Sequence, residues 1–178
     1  MKNEISNSTL STNDIVLNVQ ESLLIEAITN CNLGTGTISE PIKVDSFTTI
    51  EGSRLPSYKQ GESINFKLVF ENDDFEPTLV CCSLKNVTKN TDFNSVLTKG
   101  LYDSVFECGT TASALEDGSL CVMPNGACSA TLKVRNAAKR EMKDFYFSYS
   151  VLFSLNVGNK EMFFLIDPII RVESPDYP

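Results

Sequence analysis

The sequence predicts an all-β fold, and three features of the chain favour it. Polar and apolar residues alternate over several stretches, which is the period of a half-buried strand. Turn-forming Gly, Pro, Asn and Asp residues separate these stretches at regular spacing. No long stretch shows helical periodicity. We therefore predict about eight or more strands in a disulfide-linked, immunoglobulin-like β-sandwich over residues 41–178, preceded by an N-terminal extension or linker over residues 1–40.

The first half of the chain contains one clear strand, at residues 63–70. Ile64, Phe66 and Leu68 fall on one face of this stretch, and Asn65 lies on the other. Weaker signals predict a polar segment (1–14), two strands rather than a short helix (15–28), a turn-rich linker (32–37), a strand (42–50) and a strand (78–84).

The second half contains the longest alternating stretch, residues 145–155, followed by a turn and a partner strand at 161–166. Pro124-Asn125-Gly126 predicts the best hairpin turn in the chain, because Asn-Gly is a strong hairpin signal. The remaining signals predict a short strand that ends at Cys108 (101–107), a loop (109–117), hairpin arms (119–123 and 127–135) and a last strand (169–172).

Several kinds of active site are excluded by the composition. Because the sequence contains no His, it excludes Ser-His-Asp and Cys-His catalysis and every His-ligated metal site. The remaining enzymatic alternative is a pair of catalytic carboxylates, as in glycosidases. The acidic residues, however, lie in turn segments rather than in the apolar surroundings that raise a carboxyl pKa. The acidic segment 71–77 lacks EF-hand spacing, which favours a solvated turn over a calcium site. We therefore expect no catalytic, cofactor-binding or metal site.

The net charge of −8 bears on the choice of partner. A strongly acidic protein is a poor partner for nucleic acid and for anionic membrane surfaces, and it favours a basic protein. The alternative is that the acidity only keeps the domain soluble. No stretch reaches the roughly 18 apolar residues of a membrane span. The expected partner is therefore a protein, either a basic one or a second copy of this chain.

An even number of cysteines and the absence of a C-x-x-C motif favour disulfides over a metal site. Disulfides would place the protein in an oxidising compartment, and the alternative is a set of free thiols in a cytosolic protein. The start of the chain has no apolar signal segment, so we expect a mature fragment of a secreted protein. The six candidate disulfide residues are Cys31, Cys81, Cys82, Cys108, Cys121 and Cys128.

Spacing constrains the pairing of these cysteines without fixing it. Cys81 and Cys82 are adjacent in a predicted strand, so their side chains point to opposite faces and we expect them to have different partners. Cys121 and Cys128 flank the predicted hairpin turn, so a local crosslink between them is plausible.

Two N-x-[ST] sequons predict a glycoprotein if the chain passes through the secretory pathway. One is Asn86-Val87-Thr88 and the other is Asn7-Ser8-Thr9. The alternative is a chance occurrence in an Asn-rich chain.

The order of several segments is similar to the C-terminal immunoglobulin-like subdomain of zona pellucida modules. These segments are YKQGESINFKLVF, LVCCSL, LYDSVFECG, FYFSYSVLFSL and MFFLIDPIIRV, and the resemblance covers residues 55–172. It implies an extracellular, disulfide-bonded domain that polymerises, and it places Cys82 and Cys108 at family cysteine positions. We therefore prefer the pair Cys82 with Cys108, together with Cys121 with Cys128 across the predicted hairpin turn, which leaves Cys31 with Cys81.

We expect an extracellular, non-enzymatic structural or interaction domain that binds other proteins, or assembles into homo-oligomers, through β-sheet surfaces and edges. The alternative is a secreted acidic decoy protein that captures a basic protein ligand. That alternative depends on the net charge and on an acidic set of residues: Asp73, Asp74, Glu76, Asp103, Glu107, Glu116 and Asp117.

Overall fold

A computed structural model describes most of the chain. The described residues are 14–30, 35–44, 48–50, 57–70, 76–87, 99–136, 145–167 and 169–172. Within them the protein is mostly β-structure in two sheets, which confirms the all-β prediction.

Two short helices and twelve strands make up the described part. The helices are α1 (Glu21–Asn30) and α2 (Lys99–Val105). The strands are β1 (Asp14–Val19), β2 (Ile42–Lys43), β3 (Thr48–Ile50), β4 (Ser57–Tyr58), β5 (Ser63–Phe70), β6 (Thr78–Asn86), β7 (Ala112–Ala114), β8 (Leu120–Val122), β9 (Ser129–Lys133), β10 (Phe145–Val157), β11 (Lys160–Ile166) and β12 (Ile169–Val172).

The smaller sheet has the order β3-β1-β5-β9, and the larger sheet has the order β2-β11-β10-β6-β8-β7. In addition, β12 pairs with β10 and with β4. Both sheets are mixed, because β1 runs parallel to β5, β2 parallel to β11 and β4 parallel to β12. In the strand orders of the described sheets, β7 is an edge strand of the larger sheet and β9 is an edge strand of the smaller sheet.

The long strand predicted over residues 145–155 is confirmed as β10. Along one side it pairs with β6, and along the other it pairs first with β12 and then with β11. Its alternating residues Phe147, Tyr149, Val151 and Phe153 are all buried. Gly158 adopts a φ of 63° in the turn to β11, a conformation that glycine takes without a steric penalty.

Both sheets contribute to a single hydrophobic core. The ring of Phe66 on β5 lies 5.4 Å from the ring of Tyr149 on β10, and Phe70 lies 5.9 Å from Phe153. Ring separations of this size are favourable for aromatic pairs. The faces of β5 and β10 that the alternation marked as apolar therefore meet each other.

The short strand expected over residues 101–107 was wrong, because these residues form α2 and the segment that follows it. The buried side chains of Tyr102, Val105 and Phe106 are three and four residues apart, which places them on one side of a helix. Phe106 packs against Phe147, with 5.2 Å between the ring centroids. Packing on β10 therefore selects the helix over the alternating strand.

The predicted hairpin around Asn125-Gly126 was also wrong. β8 pairs with β6 and β7 in the larger sheet, whereas β9 pairs with β5 in the smaller sheet. The backbone hydrogen bonds of both arms are satisfied by other strands, so the turn connects two sheets. Locally it keeps a turn geometry, with the Asn125 N–H donating to the Ser129 carbonyl at 3.0 Å.

Residues 14–30 and 35–44 contribute side chains to the same core as the rest of the described chain. β1 lies between β3 and β5, with Ile15, Leu17 and Val19 buried. The second strand expected before residue 28 was wrong, because that stretch is α1, which packs Leu24 into the core. Part of the predicted N-terminal extension is therefore an integral strand of the smaller sheet.

Candidate functional site

The vicinal cysteines of β6 point to opposite faces of the larger sheet, as predicted. Cys82 has no exposed surface and belongs to the core, whereas Cys81 is half-buried on the outer face. Opposite orientation follows from the two-residue period of a strand. The two thiols therefore lie in different environments and cannot share a partner on one face.

On the outer face, the structure brings Cys121 next to Cys81. Cys121 pairs with Ser83 across β6 and β8, and its thiol hydrogen bonds with the thiol of Cys81. Burial, followed by the neighbouring Cys81, raises the pKa of Cys121 to about 11. Cys128 lies in the turn before β9, and β9 belongs to the smaller sheet.

All five described cysteines are free thiols in this structure, so the disulfides stay a prediction. Cys128 donates its S–H to the Pro77 carbonyl at 3.2 Å. Burial raises the pKa of Cys128, and it does the same for Cys82. A raised thiol pKa disfavours the thiolate, which is the nucleophilic form. Cys31, the sixth candidate, lies outside the described residues.

Cys108 lies beside a carboxylate at the end of the segment that follows α2. Burial raises its pKa, and the Asp103 carboxylate, which hydrogen bonds to the thiol, raises it further. The nearby Arg135 opposes these effects. The pairing of Cys108 with Asp103 therefore holds a neutral thiol rather than an activated one.

A cleft of about 290 Å³ opens beside this thiol, between α2 and β7. Tyr102 forms one wall, and its hydroxyl lies 3.0 Å from the Leu84 carbonyl oxygen and 2.9 Å from the Gly118 carbonyl oxygen. These contacts fix α2 to β6 and to the turn after β7. The full lining consists of Tyr102, Asp103, Cys108, Gly109, Ala112, Ser113, Ala114 and Leu120.

The strand β7 borders the cleft and forms an edge of the larger sheet. Hydrogen bonds from the Leu115 N–H to the Ser119 carbonyl and from the Met123 N–H to the Thr111 carbonyl set its register with β8. Because paired residues alternate in an antiparallel ladder, the backbone groups of Ala112 and Ala114 point away from β8. The Ala112 N–H donates to the Cys108 carbonyl, which leaves the Ala112 carbonyl and both Ala114 groups facing the edge.

The surroundings of β7 combine acidic and apolar side chains. Asp103 lines the cleft, and the exposed Glu116 and Asp117 form the turn after β7. Leu115 is 44% exposed and Met123 is 50% exposed, one near each end of the strand. The edge therefore offers backbone hydrogen-bonding groups, apolar contacts and negative charge within one small region.

The two predicted glycosylation sites differ in what the structure describes. Asn86 is half-buried at the end of β6, beside the exposed Val87. Its sequon Thr88 and the whole sequon at Asn7 lie outside the described residues. In the predicted acidic set, Glu76 and Glu107 are exposed, whereas Asp73 and Asp74 lie outside the described residues.

Sequence reasoning missed this edge. Residues 109–117 were expected to form a loop, because the three-residue strand Ala112–Ala114 has small side chains and weak alternation. One available signal was the helical spacing of Tyr102, Val105 and Phe106, which indicates α2. In the structure, α2 forms one border of the cleft.

No protein-family model matches the chain, and no curated protein sequence matches it significantly. The two described helices are too short to cross a membrane. In the part of the chain that the structure describes, no group of three His, Cys, Asp or Glu side chains is arranged to hold a metal ion.

Proposed function

We propose that this protein is an extracellular, non-enzymatic interaction domain that binds other proteins by adding an extended segment of the partner to β7. The single observation that carries the proposal is the outward-facing backbone of Ala112 and Ala114 at the edge of the larger sheet. An edge of this kind accepts a further strand through main-chain hydrogen bonds. Charged or Pro residues usually protect such edges, and β7 has neither.

The partner segment is extended and carries basic side chains. Asp103 and Glu116 lie on either side of β7 in the sequence, Asp103 in the cleft and Glu116 in the following turn. A Lys or Arg side chain of an added strand would be attracted to these carboxylates. Apolar side chains of the same segment would cover Leu115 and Met123, which are exposed.

We also propose that the fold is an immunoglobulin-like β-sandwich. The shared core of the two sheets and the contact between Phe66 and Tyr149 support face-to-face packing. The resemblance to zona pellucida modules, the disulfides and the glycans at Asn86 and Asn7 belong to the same proposal, in which the domain lies outside the cell. In that setting β7 could join copies of this chain into homo-oligomers.

The second candidate is a secreted decoy that captures a basic protein by charge. The acidic residues around β7 and the net charge of −8 favour it. The two candidates differ in how their binding affinity depends on salt. At 0.1 M ionic strength the Debye length is about 10 Å, so the attraction between exposed charges farther apart than this is largely screened. Strand addition keeps its backbone hydrogen bonds at high salt, whereas charge capture loses most of its affinity.

The test uses the full chain and a synthetic peptide of alternating Val and Lys residues. We expect the peptide to shift the backbone amide resonances of residues 112–114 in heteronuclear NMR spectra and to protect the Ala114 N–H from exchange. Asp103→Asn should weaken binding severalfold, because it removes the charge in the cleft. The matched control is Glu161→Gln, which removes an exposed charge on β11, near the edge of the larger sheet opposite to β7.

Three results would contradict strand addition at β7. The peptide could fail to bind, it could shift resonances at another edge, or the control variant could weaken binding as much as Asp103→Asn. Binding that disappears at high salt without protecting the Ala114 N–H would support the charge-capture candidate instead. Sedimentation velocity of the chain alone over a range of concentrations tests self-assembly through the same edge.

A further inference from the structure

Two cysteines on neighbouring strands share one outward face of the larger sheet. In the register of β6 and β8, Ser83 lies opposite Cys121 and Cys82 lies opposite Val122. Cys81 is therefore the diagonal neighbour of Cys121, two residues along β6. Diagonal neighbours on one face lie about 7–8 Å apart, so a bond between two Cys side chains requires a local shift of β6 or β8.

The two thiols are already in contact. The side chains of Cys81 and Cys121 are hydrogen bonded to each other, and both are half-buried rather than sealed in the core. A register irregularity between β10 and β6 falls next to Cys81, at Leu152 and Phe153. An irregularity of this kind disrupts the ladder locally and bends the strand, so β6 is less constrained by β10 at this point.

The other described cysteines are held elsewhere. Cys82 is fully buried on the opposite face, Cys108 hydrogen bonds with Asp103, and Cys128 hydrogen bonds with the Pro77 carbonyl. Among the described residues, Cys81 and Cys121 are thus the two thiols that meet each other at a partly accessible position.

We propose that Cys81 and Cys121 form a disulfide that joins β6 to β8 when the protein meets a small-molecule disulfide such as oxidised glutathione. One thiol attacks the reagent and releases one glutathione thiol, which leaves a mixed disulfide on the protein. The second thiol then displaces the other glutathione. Overall, two protein thiols become one disulfide of about 2.05 Å, and the reagent is reduced to two thiols that carry the two protons. The pair differs from those that the spacing of the cysteines suggests, and it does not depend on how the protein binds a partner.

The bond would attach the hairpin of β7 and β8 firmly to the rest of the larger sheet. It closes the chain segment between residues 81 and 121, which contains α2 and β7. Closing a loop of this length restricts the unfolded chain, and we expect the equilibrium constant for unfolding to fall by roughly several hundredfold on oxidation.

The test is disulfide mapping of the full chain after oxidation by glutathione and alkylation of the remaining thiols. Cleavage after Lys and Glu, followed by cyanogen bromide cleavage at Met123, separates Cys121 from Cys108 and Cys128. Because Pro77 blocks cleavage after Glu76, the fragment that contains Cys81 spans residues 72–85. We expect it to be linked to the fragment of residues 117–123, with Cys82 alkylated only after denaturation. Cys81→Ser and Cys121→Ser should each abolish the link, and Cys128→Ser, the matched control, should retain it.

A link from residues 72–85 to any other fragment would overturn the proposal, as would two separately glutathionylated thiols. The urea unfolding midpoints of the oxidised and reduced protein provide a second measurement. The oxidised protein should unfold at higher urea concentration, and this increase should be absent from Cys81→Ser. An unchanged or lower midpoint would show that the pair does not lie in bonding geometry.

Discussion

The edges at β9 and β7 are completed in different ways. Along β9, the chain after α2 adds backbone hydrogen bonds: the Glu107 N–H donates to the Lys133 carbonyl, and the Arg135 N–H donates to the Val105 carbonyl. A salt bridge of 3.1 Å between Lys133 and Glu107 lies over this contact. Along β7, the same stretch of chain supplies only the Cys108 carbonyl, which accepts the Ala112 N–H. The segment after α2 thus covers the edge of the smaller sheet at β9, but it covers only the start of the edge of the larger sheet at β7.

This difference shows what protects a sheet edge in this protein. The β9 edge is covered by backbone that is anchored through the buried ring of Phe106. The β7 edge is short, α2 lies beside it, and its outward backbone is the edge to which we propose that a partner segment adds. Substitutions at the buried anchor of the β9 edge should therefore cost more stability than substitutions around β7.

The largest effect is expected from Phe106→Ala, which removes the anchor of the closed edge. Phe106 is fully buried and packs on Phe147, so the substitution leaves a cavity and should lower the free energy of unfolding by about 3–5 kcal/mol. Urea denaturation measures this loss. Ser113→Thr, at an exposed position of β7, is the control and should change stability by less than about 0.5 kcal/mol. Similar losses for the two variants would mean that the edges are not different.

A smaller effect is expected from Tyr102→Phe, which loosens α2 from the β7 edge. The hydroxyl lies within hydrogen-bond distance of the Leu84 and Gly118 carbonyls, so its loss should cost about 1–2 kcal/mol. Tyr149→Phe is the matched control, because the buried Tyr149 hydroxyl has no hydrogen-bond partner among the described residues and its removal should be neutral or stabilising. Thermal unfolding of both variants checks the order, and a larger loss for Tyr149→Phe would contradict it.

A weak effect is expected from Lys133→Gln at the closed edge. Both partners of the salt bridge with Glu107 are more than 40% exposed, so solvent screens the interaction and its loss should cost at most about 0.5 kcal/mol. Urea denaturation of Lys133→Gln and of the wild type at low and at high salt separates the contribution of the ion pair to stability from that of the backbone hydrogen bonds. If the loss exceeded that of Tyr102→Phe, the side chains rather than the backbone would be closing the β9 edge.

The smallest effect is expected from Asp117→Asn in the turn after β7. Hydrogen bonds from the side chain and the backbone N–H of Ser119 lower the pKa of Asp117 below 3.8. A lowered pKa in the folded state contributes stability above the unfolded value of 3.8, and this contribution is lost as the pH falls through the lower folded value. The wild type should therefore be slightly more stable than Asp117→Asn at neutral pH, and the difference should vanish in acid. Urea midpoints across the acid range measure it, and a difference that grows on acidification would refute the assignment.

The parts of the fold that were predicted correctly are those with strong local alternation. β5, β10 and β11 each place apolar side chains on one face, and burial on that face is the dominant contribution to their formation. The opposite orientations of Cys81 and Cys82 follow from the same period. These properties depend on neighbouring residues in the chain, so they are present in the sequence.

The parts that were not predicted depend on distant partners. Asn125-Gly126 is a strong local signal for a hairpin, yet β8 finds its partners in β6 and β7, and β9 finds its partner in β5. The contact between Cys81 and Cys121 depends on the register of β6 and β8, which no local pattern specifies. The candidate site at β7 is even less predictable, because β7 can be recognised as an edge strand only when the order of all strands in the sheet is known.

The position of β1 has a consequence for synthesis of the chain. β1 lies between β3 and β5, and both of these neighbours follow it in the sequence. Its apolar residues Ile15, Leu17 and Val19 therefore emerge from the ribosome before either neighbouring strand does, and they stay unpaired until those strands follow. The smaller sheet is complete only after β9, its last strand in the sequence, has also emerged.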